Sequence, residues 1–182
     1  MLRTLFAALA ALPILATSDL PPQYLPVLGG SGGNAFSRDC GTGRVLTGVR
    51  YRSGMFIDAI GLQCRPVLSD GSLGPESTVG TLVGGGGGST GAASCPSGQV
   101  VTALRVLYGS YTGDMLVTCQ PWHAGTRSFS KTGDYAFNVG TIFTPGLTDA
   151  SEACESTKQP GSGLRGRAAV YVDAIGLVCD EP

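Results

Sequence analysis

Two strings in this sequence carry the carboxylates best placed to do chemistry. Gly54-Met55-Phe56-Ile57-Asp58 and Ala169-Val170-Tyr171-Val172-Asp173 each end in an aspartate four residues after a small residue. Two glycine runs accompany them, Gly29-Gly30-Ser31-Gly32-Gly33 and Gly84-Gly85-Gly86-Gly87-Gly88. An ionised carboxylate accepts charge-assisted hydrogen bonds from neighbouring hydroxyls in pairs. Glycines leave backbone N–H groups open and let a ligand approach the chain closely. The competing reading is local: an aspartate can cap its own turn, and glycines can serve as turns alone.

The remaining reactive side chains point to little else. His123 is the only histidine and sits in Pro121-Trp122-His123. No Gly-x-Ser-x-Gly elbow accompanies it, and the Trp122-His123 pair reads as a strand-end cover. Glycoside hydrolysis needs two carboxylates facing one bond, and Asp58 and Asp173 fall in different repeats. The sequence therefore predicts no enzyme. It also predicts no cofactor and no metal site, because no Cys-x-x-Cys pair occurs.

The elements that position these residues are repeated. Cys40 and Cys64 are 24 apart, Cys95 and Cys119 are 24 apart, and Cys154 and Cys179 are 25 apart. A shift of 55 lays Val45-Leu46-Thr47-Gly48-Val49-Arg50 on Val100-Val101-Thr102-Ala103-Leu104-Arg105. A shift of 115 lays Ile57-Asp58-Ala59-Ile60-Gly61-Leu62 on Val172-Asp173-Ala174-Ile175-Gly176-Leu177. Upstream, Val79-Gly80-Thr81-Leu82 matches Val139-Gly140-Thr141-Ile142. Three units follow, roughly 24–70, 79–122 and 138–180. The stretch from His123 to Thr132 reads as a long polar loop.

Each unit reads as strand, turn, strand. Val45, Thr47, Val49 and Tyr51 would share one face of the first strand, and Leu46, Gly48, Arg50 and Arg52 the other. Ser53-Gly54 is the turn, and Phe56 to Cys64 the return strand. A lone hairpin is marginal in water, whereas three around a common axis each bury an apolar face. The fold class is all-β, a closed arrangement of three sheets. Charged residues make up only 14% of the chain, which also holds 29 glycines, a composition suited to short strands and tight turns.

Met1-Leu2-Arg3, the apolar run Leu5 to Ala16 and the small residues Ala16-Thr17-Ser18 have the layout of a signal peptide. Residues 1–18 are set aside on that reading, leaving one domain over 19–182, secreted and without a membrane span. Removing them takes away one base, Arg3, and moves the formal charge from -1 to -2. That is too near neutral to indicate nucleic acid or an anionic surface. Six cysteines behind a signal peptide imply disulfides. If the units are equivalent, either each unit closes its own bond or bonds run cyclically between units. The local set, Cys40–Cys64, Cys95–Cys119 and Cys154–Cys179, is the one adopted.

The glycine run with Asn34-Ala35-Phe36, then Arg52 to Ile60, resembles the jacalin-related lectins, most closely the mannose-binding type. So does the final pair of segments, Gly163 to Arg167 and Tyr171 to Gly176. The cysteine pairs are similar to those of vitelline-membrane outer-layer proteins, which share the same β-prism of three four-stranded Greek keys. The resemblance covers nearly all of 19–182. It implies that the Gly-x-x-x-Asp loop of one unit meets the glycine-rich loop of a neighbour, and that aspartate and loop amides bind sugar hydroxyls. On this pattern Gly54, Met55, Phe56, Ile57 and Asp58 meet Gly84 to Gly88. A weaker second site joins Ala169, Val170, Tyr171, Val172 and Asp173 to Gly29, Gly30, Gly32 and Gly33. Ala169 departs from the motif glycine, a substitution that matters if the position needs a positive φ. The third copy, Gly109-Ser110-Tyr111-Thr112-Gly113, has lost the aspartate and is expected not to bind. Phe56, Tyr111 and Tyr171 are candidates to cover a sugar ring. The implied partners are glycans or glycoproteins of mannose/glucose type. The alternative is an extracellular coat or inhibitor module with no sugar site; the discriminating feature is Asp58. Oligomeric state is not set by the sequence.

Overall fold

The computed structural model describes residues 20–130, 132–140, 146–154 and 158–182. The segment read as a signal peptide lies outside the described residues, as do Thr141 and Ile142 of the upstream echo. Three long hairpins form: β4 (Arg44–Ser53) with β5 (Ile57–Pro66), β8 (Gln99–Tyr108) with β9 (Thr112–His123), both rich in β-branched residues, and β13 (Gly161–Ala168), rich in glycine, with β14 (Val172–Cys179). Each hairpin is the centre of one antiparallel sheet, and no α-helix occurs among the described residues. None of those residues forms a helix long and apolar enough to cross a membrane.

The flanking strands close each sheet in Greek-key fashion. In the first sheet β6 (Ser77–Gly84) pairs with β5, and β7 (Ser89–Ser94) crosses over to pair with β4. In the second, β11 (Tyr135–Val139) and the short β10 (Ser128–Phe129) pair with β9, while β12 (Thr148–Ala153) pairs with β8. The third borrows its flanking strands from the other end of the chain. There β1 (Gln23–Tyr24) and β2 (Leu28–Gly29) pair with β14, and β3 (Asn34–Asp39) pairs with β13.

The sheets are thus phased differently from the sequence units. The Gly84–Gly88 run sits upstream of the second hairpin in sequence yet belongs to the sheet of the first, and the Gly29–Gly33 run, upstream of the first hairpin, belongs to the sheet of the last. The expected long loop after His123 is instead a turn over Ala124–Arg127, carrying β10 back onto His123 and Trp122. Two sheets have five strands rather than four, because their outer strand is broken into two pieces.

A bulge corrects the expected strand faces. Pairing between β4 and β5 slips between Leu46 and Gly48, leaving Thr47 as the extra residue. A bulge inserts one residue and shifts the alternation beyond it. Leu46, Val49 and the half-buried Tyr51 therefore face the central core together, while Val45 joins a smaller cluster with Val100 and Trp122. β8 slips at the equivalent place, between Val101 and Ala103, and β13 between Gly161 and Gly163. At each slip a buried hydroxyl donates to a carbonyl of the partner strand: Thr47 to Gln63, Thr102 to Thr118 and Ser162 to Val178.

The three disulfides are Cys40–Cys64, Cys95–Cys119 and Cys154–Cys179. They are local in sequence and cyclic in space. Cys40 continues β3 of the third sheet, its N–H donating to Ser162 O at 2.8 Å, yet its sulfur joins Cys64 on β5 of the first. Cys95 continues β7 of the first sheet, donating to Thr47 O at 2.7 Å, and joins Cys119 on β9 of the second. Cys154 follows β12 of the second and joins Cys179 on β14 of the third. All six cysteines lie in the central core with the inward residues of the three sheets.

One titratable group is built into this core boundary. Glu152 on β12 of the second sheet is buried and accepts a hydrogen bond through Oε1 from the Leu177 N–H on β14 of the third. Its Oε2 is buried without a hydrogen-bond partner among the described residues. Burial pushes its carboxyl up from about 4.5 to about 7, opposed by the Leu177 bond and by Arg165. The folded state therefore holds the proton where the unfolded chain has released it. Stability from this group is fully present below the unfolded value and is lost as pH rises through the folded one. A shift of that size corresponds to about 3 kcal/mol at most. The melting temperature is expected to fall between pH 4.5 and about pH 7, by several degrees for a domain of this size. Glu152→Gln should flatten that slope; an equal slope in the variant, measured by scanning calorimetry, excludes Glu152 as its source.

Candidate functional site

The three hairpin turns meet at one end of the prism. Each has the same backbone closure: Gly54 N–H to Phe56 O at 3.0 Å, Gly109 N–H to Tyr111 O at 3.1 Å, and Ala169 N–H to Tyr171 O at 2.9 Å. The aromatic of each turn packs on the other two, with ring centroids 5.3 Å apart for Phe56–Tyr111, 5.5 Å for Phe56–Tyr171 and 4.7 Å for Tyr111–Tyr171. Edge contacts of this kind stabilise beyond the area they bury. These rings hold the turns to one another at the same end of the prism as the glycine runs.

Just inside the turns, Asp58 and Asp173 begin the return strands and are almost fully buried, 5% and 4% exposed. Each lies under its glycine run. Gly85 N–H donates to Asp58 O at 2.8 Å, and Gly30 N–H to Asp173 O at 2.9 Å. A Cβ on Gly87 would stand 2.3 Å from Asp58 Oδ1, and one on Gly88 2.5 Å from Oδ2. On Gly32 and Gly33 the same distances to Asp173 Oδ1 and Oδ2 are 2.3 and 2.5 Å. Gly88 and Gly33 also have positive φ, 63° and 61°, which favours glycine on backbone grounds alone. Only a chain without side chains can lie this close to the carboxylates. Asp173 Oδ2 is buried and has no hydrogen-bond partner among the described residues.

The glycine run belongs to the same sheet as the aspartate it covers, being the β6–β7 connection for Asp58 and the β2–β3 connection for Asp173. The neighbouring hairpin contributes the far wall. A Cβ on Gly85 would fall 2.2 Å from Val170 O, and one on Gly30 2.3 Å from Ser110 O. Each run is thus wedged between its own aspartate and the next turn.

Ala169 in place of the motif glycine leaves the second arrangement intact. Gly54 is not among the positive-φ residues, and a Cβ there would meet its neighbours at 3.7 and 3.8 Å, ordinary contact distances. The third copy differs throughout. Gly113 replaces the aspartate, and Leu147 occupies the position before the outer strand that Gly88 and Gly33 hold elsewhere. A Cβ on Gly113 would fall 2.7 Å from Leu147 Cδ1, so an apolar side chain fills the place of the carboxylate. The carboxyl of the adjacent Asp114 is pushed up by burial, and its Oδ1 is buried without a hydrogen-bond partner among the described residues.

Sequence reasoning missed one pair of residues at these sites. Arg52 Nε and Nη2 donate to Gly87 O and Gly88 O at 2.6 and 2.9 Å. Arg167 makes the same two bonds to Gly32 O and Gly33 O, both at 2.6 Å. The signal was available, since the two arginines superpose under the shift of 115.

No protein-family model and no curated protein matches the sequence. Solved structures do. The structure of a Malaysian banana lectin superposes with a TM-score of 0.60 at 19% identity, covering 89% of this chain and 100% of that one. The fold is the β-prism of the jacalin-related lectins. A mannose-binding jacalin-related lectin from Ananas comosus superposes with a TM-score of 0.60 at 20% identity, over 88% of this chain and 99% of its own. A mannose-specific jacalin-related lectin from Morus nigra, solved with mannose, gives 0.52 at 18% identity over 93% and 99%. At these identities the likeness establishes the β-prism alone.

No group of three or more metal-ligating side chains is gathered among the described residues. His123 Nε2 meets Ser130 Oγ at 3.0 Å on the exposed surface. Trp122 beside it is buried in the smaller cluster with Val45 and Val100, closing the end of β9.

Proposed function

We propose that the protein is a secreted, non-enzymatic lectin binding glycans of mannose/glucose type through two equivalent sites, Asp58 with Gly84–Gly88 and Asp173 with Gly29–Gly33. The observation that carries this reading is the twice-built pairing of a nearly buried carboxylate with a glycine run. Asp173 Oδ2 is buried without a hydrogen-bond partner among the described residues, a costly arrangement, and an adjacent sugar hydroxyl would supply the donor. The glycine run offers backbone N–H groups beside the same oxygens, so a ligand would meet acceptor and donors together. The mannose-binding proteins among the structural neighbours support the ligand class. The layout of residues 1–18 supports export, and three disulfides suit an oxidising compartment.

A glycan array probed with the oxidised protein tests this reading. Wild type should bind one glycan class, Asp58→Asn and Asp173→Asn should each weaken binding, and the double variant should fall to background. An amide keeps the shape but loses the charge, a loss of about 1.5–3 kcal/mol per charge-assisted bond. A blank array from folded protein, or undiminished binding by the double variant, moves the assignment to a coat or inhibitor module.

A further inference from the structure

We propose that Arg52 and Arg167 are positioning residues for the two sites, each clamping two adjacent carbonyls of its glycine run so that the run is held open over the carboxylate. The proposal rests on the glycan-binding reading and adds residues to it that neither motif contains.

Three observations carry it. The clamp is bidentate and is made twice with the same atoms, Nε to the first carbonyl and Nη2 to the second. Arg52 stands opposite Ala59 and Thr90, and Arg167 opposite Ala174 and Ala35, the same register in both sheets. The third hairpin has Leu107 at that register, opposite Asp114 and Asp149. It is also the hairpin in which Gly113 replaces the aspartate and Leu147 replaces the glycine. Its outer strand β12 still pairs with β8 over its full length. The prism therefore closes without the arginine, and the arginine is found only where the carboxylate is.

The physics explains the association. Glycine runs lose more conformational freedom on ordering than any other chain, so an unsupported run would spread over many arrangements. In a trans peptide the carbonyl and the following N–H point in opposite directions. Fixing Gly87 O and Gly88 O on the guanidinium therefore fixes the N–H groups of Gly88 and Ser89 on the other side. A planar guanidinium fork serves two carbonyls at once, which the point charge of lysine does not.

The test uses the oxidised protein in an Asp173→Asn background, so that only the Asp58 site responds. Methyl α-mannoside is titrated by calorimetry, and amide hydrogen exchange is followed over residues 84–88. Arg52→Ala should weaken binding about tenfold or more, speed exchange in that segment alone, and leave the melting temperature nearly unchanged; Arg52→Lys should recover only part of the affinity. Unchanged affinity together with unchanged exchange would overturn the clamp. If the parent itself binds no mannoside, the sugar assignment fails instead, and the exchange data alone decide whether the arginine orders the run.

Discussion

Gly87→Ala should abolish binding at the Asp58 site, whereas Gly86→Ala, one residue away, should leave it intact. The two glycines differ in what lies beside them. A methyl group on Gly87 would sit 2.3 Å from Asp58 Oδ1 and 3.1 Å from its Cγ, while nothing stands within 4 Å of one on Gly86. Neither residue has positive φ, so backbone strain does not separate them. Asp58 is 5% exposed and cannot swing away without disturbing its neighbours. The run must lift, the carboxylate must rotate, or both. The second site already illustrates the tolerated change, since Ser31 occupies there the position of Gly86. Two charge-assisted bonds at about 1.5–3 kcal/mol each put the loss at about 100-fold or more. Titration of a mannoside in the Asp173→Asn background reads it directly. Equal affinities for the parent and Gly87→Ala would show that the carboxylate is not part of the site.

Reducing all three disulfides should unfold the protein at physiological temperature. The bonds close separate loops of 24, 24 and 25 residues. In the chain-entropy account each is worth roughly 3.5 kcal/mol, and the loops do not overlap, so together they contribute roughly 10 kcal/mol. That is comparable with the whole stability of an ordinary domain, about 5–15 kcal/mol. Because each bond runs from one sheet to the next, its loss also frees a boundary between sheets. Replacing a single pair, Cys95→Ala with Cys119→Ala, should lower the melting temperature by about 10 °C and leave a folded protein. Near-ultraviolet circular dichroism with and without reductant checks both. A reduced protein that keeps its native signal and melting temperature would place the stability in the sheets alone.

Much of this architecture could be read from residue types. The paired cysteine spacings and the Ile-Asp-Ala-Ile-Gly-Leu echo marked the three hairpins, and the glycine runs marked the chain that covers the aspartates. What escaped depended on register and on contacts distant in sequence. Strict alternation assigned Leu46 to the face opposite Val49, because a one-residue bulge at Thr47 leaves no trace in a pattern of apolar residues. The unit boundaries followed the glycine runs, whereas the strands beside those runs pair with a hairpin other than the one that follows them in sequence. Arg52 and Arg167 read as ordinary outward strand residues, since their partners are carbonyls 35 and 135 positions away along the chain. Whether Ala169 mattered turned on φ at that position, which residue types do not reveal; Gly54 is not among the positive-φ glycines.

The third sheet takes residues 23–39 and residues 161–179. Its making is therefore a matter of timing. The first sheet lies wholly within residues 44–94 and brings Asp58 under its glycine run early, although the far wall at Val170 is made only later. The Asp173 site needs Gly29–Gly33 to wait, unpaired, until Asp173 exists. Contacts spanning most of a chain form slowly, and unpaired strand edges invite the wrong partners meanwhile. During synthesis Asp58 and its glycine run would thus be in place well before Asp173 meets its own, and a truncated or stalled chain would carry three loose strands in search of a third sheet.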